Sequence, residues 1–170
     1  MKIGIISGCA NTGKTATCFE IKKIYLNQEN STVVKEFNYK KGNKDQERII
    51  DERDCLSIVK IDDKYYGISS QGDVPNHIGV DIEKIMNYAK SHGFEFESII
   101  LTCRSKGNGL AAAREIAPKY GAEEFFFISS RITREITEED LKNHKREFAI
   151  FILKAIGHLT ISEENIQLLS

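Results

Sequence analysis

Residues 1–15, MKIGIISGCANTGKT, carry a short apolar segment directly into Gly8-Cys9-Ala10-Asn11-Thr12-Gly13-Lys14-Thr15. Lys2 to Ile6 places Ile3, Ile5 and Ile6 as a strand buried on both faces would. The segment after Gly13 has helical period, with Cys18, Ile21, Ile24 and Tyr25 on one face and Glu20, Lys22 and Lys23 on the other. The turn between them has glycine at both ends, so its backbone N–H groups can approach an anion that side chains at Gly8 and Gly13 would hold away. The helix N-terminus adds its partial positive charge beneath. In this setting Lys14 would reach the β- and γ-phosphates of a nucleotide, and Thr15 would hold Mg²⁺ through its hydroxyl.

Residues 3–15 resemble the Walker A element of the P-loop NTPase superfamily, over less than a tenth of the chain. The resemblance implies an α/β fold of three layers, in which a mostly parallel central sheet is flanked by helices and holds Mg-nucleotide at the carboxyl ends of its strands. It implies a nucleoside triphosphate cradled by Gly8, Cys9, Ala10, Asn11, Thr12, Gly13, Lys14, Thr15 and Ala16. It names a superfamily and leaves the activity open.

A chain of 170 residues has the size of one domain and buries roughly 70% of its unfolded surface without a metal or disulfide staple. Its 24 basic and 25 acidic residues are mixed, and the formal charge of −1 provides no strong field for nucleic acid or membrane. No apolar run approaches the ~20 residues of a membrane span, and Met1 leads directly into the first strand, so the expected location is the cytoplasm. Cys9, Cys18, Cys55 and Cys103 are widely separated, without Cys-x-x-Cys or zinc-like His spacing, and are expected as reduced thiols. Oligomeric state is not legible.

Along the chain, Ser31 to Phe37 reads as a second strand. Tyr39 to Asp54 is an almost wholly polar excursion with acids and bases in equal number, where only Ile49 and Ile50 could anchor it. It is an ordinary solvated insertion, a receptor for a second substrate or a switch. Cys55 to Ile61 and Lys64 to Ser70, joined at Asp62-Asp63, form the best hairpin signal, so one antiparallel strand is expected in the sheet. Ile78, Ile82, Ile85, Met86 and Ala89 mark a helix from about 77 to 91. Ser98 to Cys103 is a central strand, Leu110 to Ala117 a helix ended by Pro118, and Glu124 to Ser129 another strand. Thr137-Glu138-Glu139-Asp140 opens the last long helix, with Leu141, Phe148, Ile152, Ala155 and Leu159 as its apolar face and 149–153 deeply packed. A short helix around 162–169 closes the chain.

A triphosphate site needs an acid at a strand end to orient Mg²⁺ or its water, and Asp73, behind Gly72, is the best placed. The arrangement resembles a Walker B or switch II region, but Ser69, Ser70 and Gln71 interrupt its apolar run. Asp73 is therefore either that acid or a turn residue, and Gln71 could position a water. Glu36 matches a strand-end general base or plain strand alternation. Arg104 and Lys106, in a loop with Gly107 and Gly109, could bind phosphate or brace a base. Arg131 and Arg134 could stabilise charge on a transferring phosphoryl group, or be exposed charges before the helix. The histidines show no triad or ligand pairing.

No Asn-Lys-x-Asp guanine-recognition sequence occurs, which favours ATP. Size, the excursion after the second strand and the arginines before the last helix resemble small nucleoside or nucleotide kinases. The expected function is Mg-dependent phosphoryl transfer from ATP to a small acceptor, with Lys14, Asp73, Arg131 and Arg134 as catalytic residues and Thr15 and Asp73 at the metal. Two alternatives stand beside it: a nucleotide-gated regulatory ATPase acting through a protein partner, and a binding-only P-loop protein.

Overall fold

The computed structural model describes residues 1–37, 54–71, 75–130 and 137–158. The elements run β1 (Lys2–Gly8), α1 (Lys14–Leu26), β2 (Ser31–Glu36), β3 (Leu56–Ile61), β4 (Lys64–Ser69), α2 (Pro75–His92), β5 (Phe96–Arg104), α3 (Asn108–Lys119), β6 (Glu123–Ile128) and α4 (Glu138–Ala155). The excursion from Tyr39 through Arg53 with Ile49 and Ile50, together with Gly72, Asp73, Arg131, Arg134, Leu159 and the expected terminal helix, lies outside the described residues.

Six strands form one sheet in the order β2-β3-β4-β5-β1-β6. β4, β5, β1 and β6 run parallel to one another, while β3 runs antiparallel to both β2 and β4. The expected hairpin is β3–β4, with Leu56 opposite Ser69 and Asp62 in the left-handed region at its tip (φ 50°). The result is an α/β architecture with a mostly parallel sheet flanked by helices. In register, Ile3 stands beside Ile99 and Ile5 beside Leu101, so apolar strand residues stack into layers.

Strand alternation divides the core in two. On one face Ile3, Ile5, Ile99, Leu101 and Cys103 pack against Ile78, Ile82 and Ile85 of α2 and Ala113 and Ile116 of α3. On the other Ile6, Ile68 and Ile100 pack against Cys18, Ile21 and Tyr25 of α1 and Ala149, Ile152 and Leu153 of α4. Each such buried isoleucine or leucine contributes about 1.5–3 kcal/mol relative to an exposed one. All four cysteines are free thiols, as expected.

Two helices differ from expectation. α3 continues through Pro118 to Lys119, because proline's φ is itself helical and Tyr120 N–H still reaches Ile116 O at 3.2 Å. α4 is capped by Thr137, which accepts from Asp140 N–H at 3.0 Å, but its buried residues are Ala149, Ile152 and Leu153. Leu141 and Ala155 lie on the exposed side, and Phe151, in the stretch expected to be deeply packed, is 59% exposed. The helix packs on the α1 side of the sheet, so an all-round apolar stretch still leaves one side uncovered.

Candidate functional site

β1 ends at Gly8 because nothing larger fits there: a Cβ would stand 2.5 Å from Thr12 Oγ1 and 2.6 Å from the Ser129 carbonyl. The chain then turns through two left-handed residues, Asn11 (φ 61°) and Gly13 (φ 87°). Asparagine tolerates that region and glycine enters it without strain. Gly13 is the N-cap of α1 and offers no side-chain cap, and the first helical turn has no acidic residue.

Four of the loop's carbonyls, those of Gly8, Cys9, Thr12 and Gly13, are occupied. Lys14 Nζ donates to Gly8 O at 3.0 Å and Cys9 O at 2.8 Å, and Thr12 Oγ1 donates to Cys9 O at 3.1 Å. Thr12 O accepts from Ser129 Oγ at 2.9 Å and Lys145 Nζ at 3.0 Å, and Gly13 O from Thr17 N and Oγ1. The amides are the reverse: among the described residues none accepts from the N–H groups of Ala10, Asn11, Thr12 or Gly13. Thr15 and Ala16 add helix-terminal N–H groups that have no intrahelical partner. A set of donors without acceptors at the positive end of a helix has the polarity that suits an anion. These donors fall within residues 8–16.

Neighbouring strand ends complete the rim. The turn after β5 lies against the loop, with Ser7 Oγ 3.4 Å from Arg104 O and Cys9 Sγ 3.4 Å from Ser105 Oγ. Arg104 and Lys106 are exposed there. One strand further, Thr102 Oγ1 donates to Ser70 O at 2.8 Å, and Ser70 Oγ accepts from Cys55 N–H and donates to Asp54 Oδ1 at 3.3 Å. Gln71 is 4% exposed, and neither polar atom of its amide has a partner among the described residues. Because β5 intervenes, β4 stands about 10 Å from β1, so a residue at the end of β4 meets the loop's ligand only across that gap.

Asp54 is a carboxylate at this edge that sequence reasoning does not assign. Burial pushes the Cys18 thiol well up, Cys55 and Asp54 add to the rise, and Lys14 opposes it. Asp54 and Lys14 thus act on one thiol beneath the loop. Lys145 is likewise unassigned from sequence, although a signal exists: 145, 149, 152 and 156 follow helical spacing, so a lysine shares the buried stripe of Ala149, Ile152 and Ile156. Ser129, buried at the end of β6, carries no comparable signal.

Glu36 is ion-paired with Lys22, which accounts for it as a surface group. His92 and His144 are exposed, and His92 stacks on Tyr88. Among the described residues there is no cluster of three or more His, Cys, Asp or Glu, and no helix is long and apolar enough to cross a membrane. A groove of about 530 Å³ lined by Met86, Phe94, Phe96 and Tyr120 opens at the opposite, amino edge of the sheet, away from the loop. No family model, curated protein or solved structure matches this chain.

Proposed function

We propose that this chain is a P-loop NTPase-type protein that binds ATP with Mg²⁺ and transfers a phosphoryl group to a small acceptor such as a nucleoside or nucleotide. One observation carries the reading: among the described residues the N–H groups of Ala10 to Gly13 lack acceptors while the carbonyls of Gly8, Cys9, Thr12 and Gly13 are satisfied. Four backbone donors without acceptors in one loop suit a polyphosphate. ATP, when bound, supplies the transferable group, and Mg²⁺ neutralises its oxygens.

The chain's own groups fit those roles. Lys14 Nζ rests on Gly8 and Cys9 carbonyls, within the loop it would leave to meet phosphate. The Thr15 hydroxyl, in the first turn of α1, is the metal ligand, with Asp54 or Asp73 as the acid that orients metal-bound water. Arg104, Arg131 and Arg134 are the cations available for charge that grows on the phosphoryl oxygens.

A nucleotide-gated regulatory ATPase is the second reading, and Gln71 favours it. A buried amide without a partner among the described residues, at the end of β4, is a group that a water or a rearranged neighbour would satisfy.

Thermal denaturation with ATP, GTP and Mg²⁺ tests the common core. A ligand at about one hundred times its Kd stabilises by about 2.7 kcal/mol, or roughly 5–11 °C for a domain of this size. Wild type should show such a shift with MgATP, and Lys14→Ala should lose most of it. No shift with either nucleotide, or an equal shift in the mutant, refutes the assignment. ATP consumption that depends on a particular nucleoside, nucleotide or sugar then selects the kinase, acceptor-independent turnover the regulatory ATPase, and a shift without turnover a binding-only protein.

A further inference from the structure

The Thr12 carbonyl is held from outside the loop by two donors on different elements. Ser129 Oγ approaches at 2.9 Å and Lys145 Nζ at 3.0 Å. Ser129 is itself fixed, since its N–H donates to Ser7 O at 2.7 Å. Lys145 reaches over from α4 so closely that a Cβ on Gly13 would collide with its ammonium group.

The peptide unit joining Thr12 and Gly13 is planar and trans. Its N–H therefore points away from the carbonyl that Ser129 and Lys145 hold, and no described residue accepts that N–H. Donation from an ammonium to a carbonyl also draws electron density through the amide, which makes the N–H at the other end a stronger donor.

We propose that Lys145 is a positioning residue of the phosphate site: with Ser129 it clamps the Thr12–Gly13 peptide so that Gly13 N–H faces the cradle, and it polarises that N–H toward a nucleotide phosphate. The inference rests on the loop being a triphosphate site and deepens that reading. It makes α4 part of the anion site, although no α4 residue need touch the nucleotide. Burial lowers the pKa of Lys145, so keeping an ammonium there carries a desolvation cost that a neutral donor making the same hydrogen bond would avoid. The charge is what the clamp adds.

The experiment compares wild type with Lys145→Met, Lys145→Arg and Ser129→Ala, using MgATP titration calorimetry and the Gly13 amide proton shift by NMR. Binding to wild type should move the Gly13 resonance downfield. Lys145→Met should weaken ATP binding by about tenfold to a hundredfold and shrink that shift, while Lys145→Arg restores most of both. Ser129→Ala should reduce both in the same direction, and it serves if Lys145→Met fails to fold. Wild-type affinity and an unchanged Gly13 shift in Lys145→Met, or in Ser129→Ala if it alone folds, overturn the proposal. So does weakened binding with an unchanged Gly13 shift, which makes Lys145 a direct phosphate contact. If wild type binds neither ATP nor GTP, the reading of the loop has failed, an outcome distinct from a wild type that binds beside an indifferent mutant.

Discussion

Three glycine-to-alanine substitutions separate the packing of the loop from the packing of the fold. At Gly8 the new methyl would lie 2.6 Å from the Ser129 carbonyl and 2.5 Å from Thr12 Oγ1. An ordinary contact needs close to 1 Å more than this, and the Ser129 backbone is held by its bond to Ser7 O. Overpacking of this kind costs about 1–3 kcal/mol, or a fall in Tm of roughly 2–12 °C. Both displaced groups hold the loop, so Gly8→Ala should also lose most of the MgATP-dependent rise in Tm. At Gly4 the obstacle is Ile100 Cδ1 at 2.6 Å, the movable end of a side chain. Gly4→Ala should lower Tm by a few degrees and leave the ATP response intact. At Gly79, inside α2, nothing lies within 4 Å of the new methyl, so the helix gains about 1 kcal/mol and Tm should rise by roughly 2–4 °C. Differential scanning fluorimetry on the three variants, with and without MgATP, measures all of this. A Gly8→Ala protein that keeps the wild-type Tm and ATP shift refutes the described packing, and equal loss of the ATP shift in Gly4→Ala shows a global effect.

His158 and Asp54 extend the tests to pH and metal. The His158 ring stands edge-on to Tyr66 at 5.0 Å, and burial lowers its pKa to about 4. The unfolded chain binds that proton near pH 6.5, so the histidine's contribution is fully present above about 6.5 and is lost as pH falls toward 4. The loss is on the order of 2 kcal/mol once partial exposure is allowed for. His158→Leu should flatten the fall in Tm over that window, and an unchanged slope refutes the assignment. Asp54→Asn should retain Mg²⁺-free nucleotide binding and lose the added stabilisation from Mg²⁺. An undiminished Mg²⁺ response, measured by thermal shift, removes Asp54 from the metal role.

The locally coded parts of the molecule are legible in the sequence. A left-handed turn needs Gly13, a capping hydroxyl sits at Thr137, a hairpin turns at Asp62-Asp63, and Ile78, Ile82 and Ile85 share a face because the helix repeats every 3.6 residues. Each depends on neighbours within a few positions. The apolar face of α4 is misread because period alone leaves an all-apolar stretch such as 149–153 without a preferred side, and only contact with α1 chooses Ala149, Ile152 and Leu153 over Phe151. The loop of residues 8–16 is likewise fully marked in the sequence. Its supports are not placed by it: the sequence shows a lysine in the buried stripe of α4, but Ser129 and Lys145 lie 117 and 133 positions from Thr12, and no local pattern records which distant donor a carbonyl will meet.

The sequence by itself determined a strand, a glycine-bounded loop and a helix, with two periodicities strong enough to build an α/β domain. The tertiary structure alone decided that β5, rather than β4, lies beside β1, which puts Arg104 and Ser105 against the loop and Gln71 one strand away. It alone brought Asp54 to the same edge and α4 to the Thr12 carbonyl. Strand order and side-chain convergence are set by how whole faces bury against one another, and that free energy belongs to the assembled chain and not to any short segment.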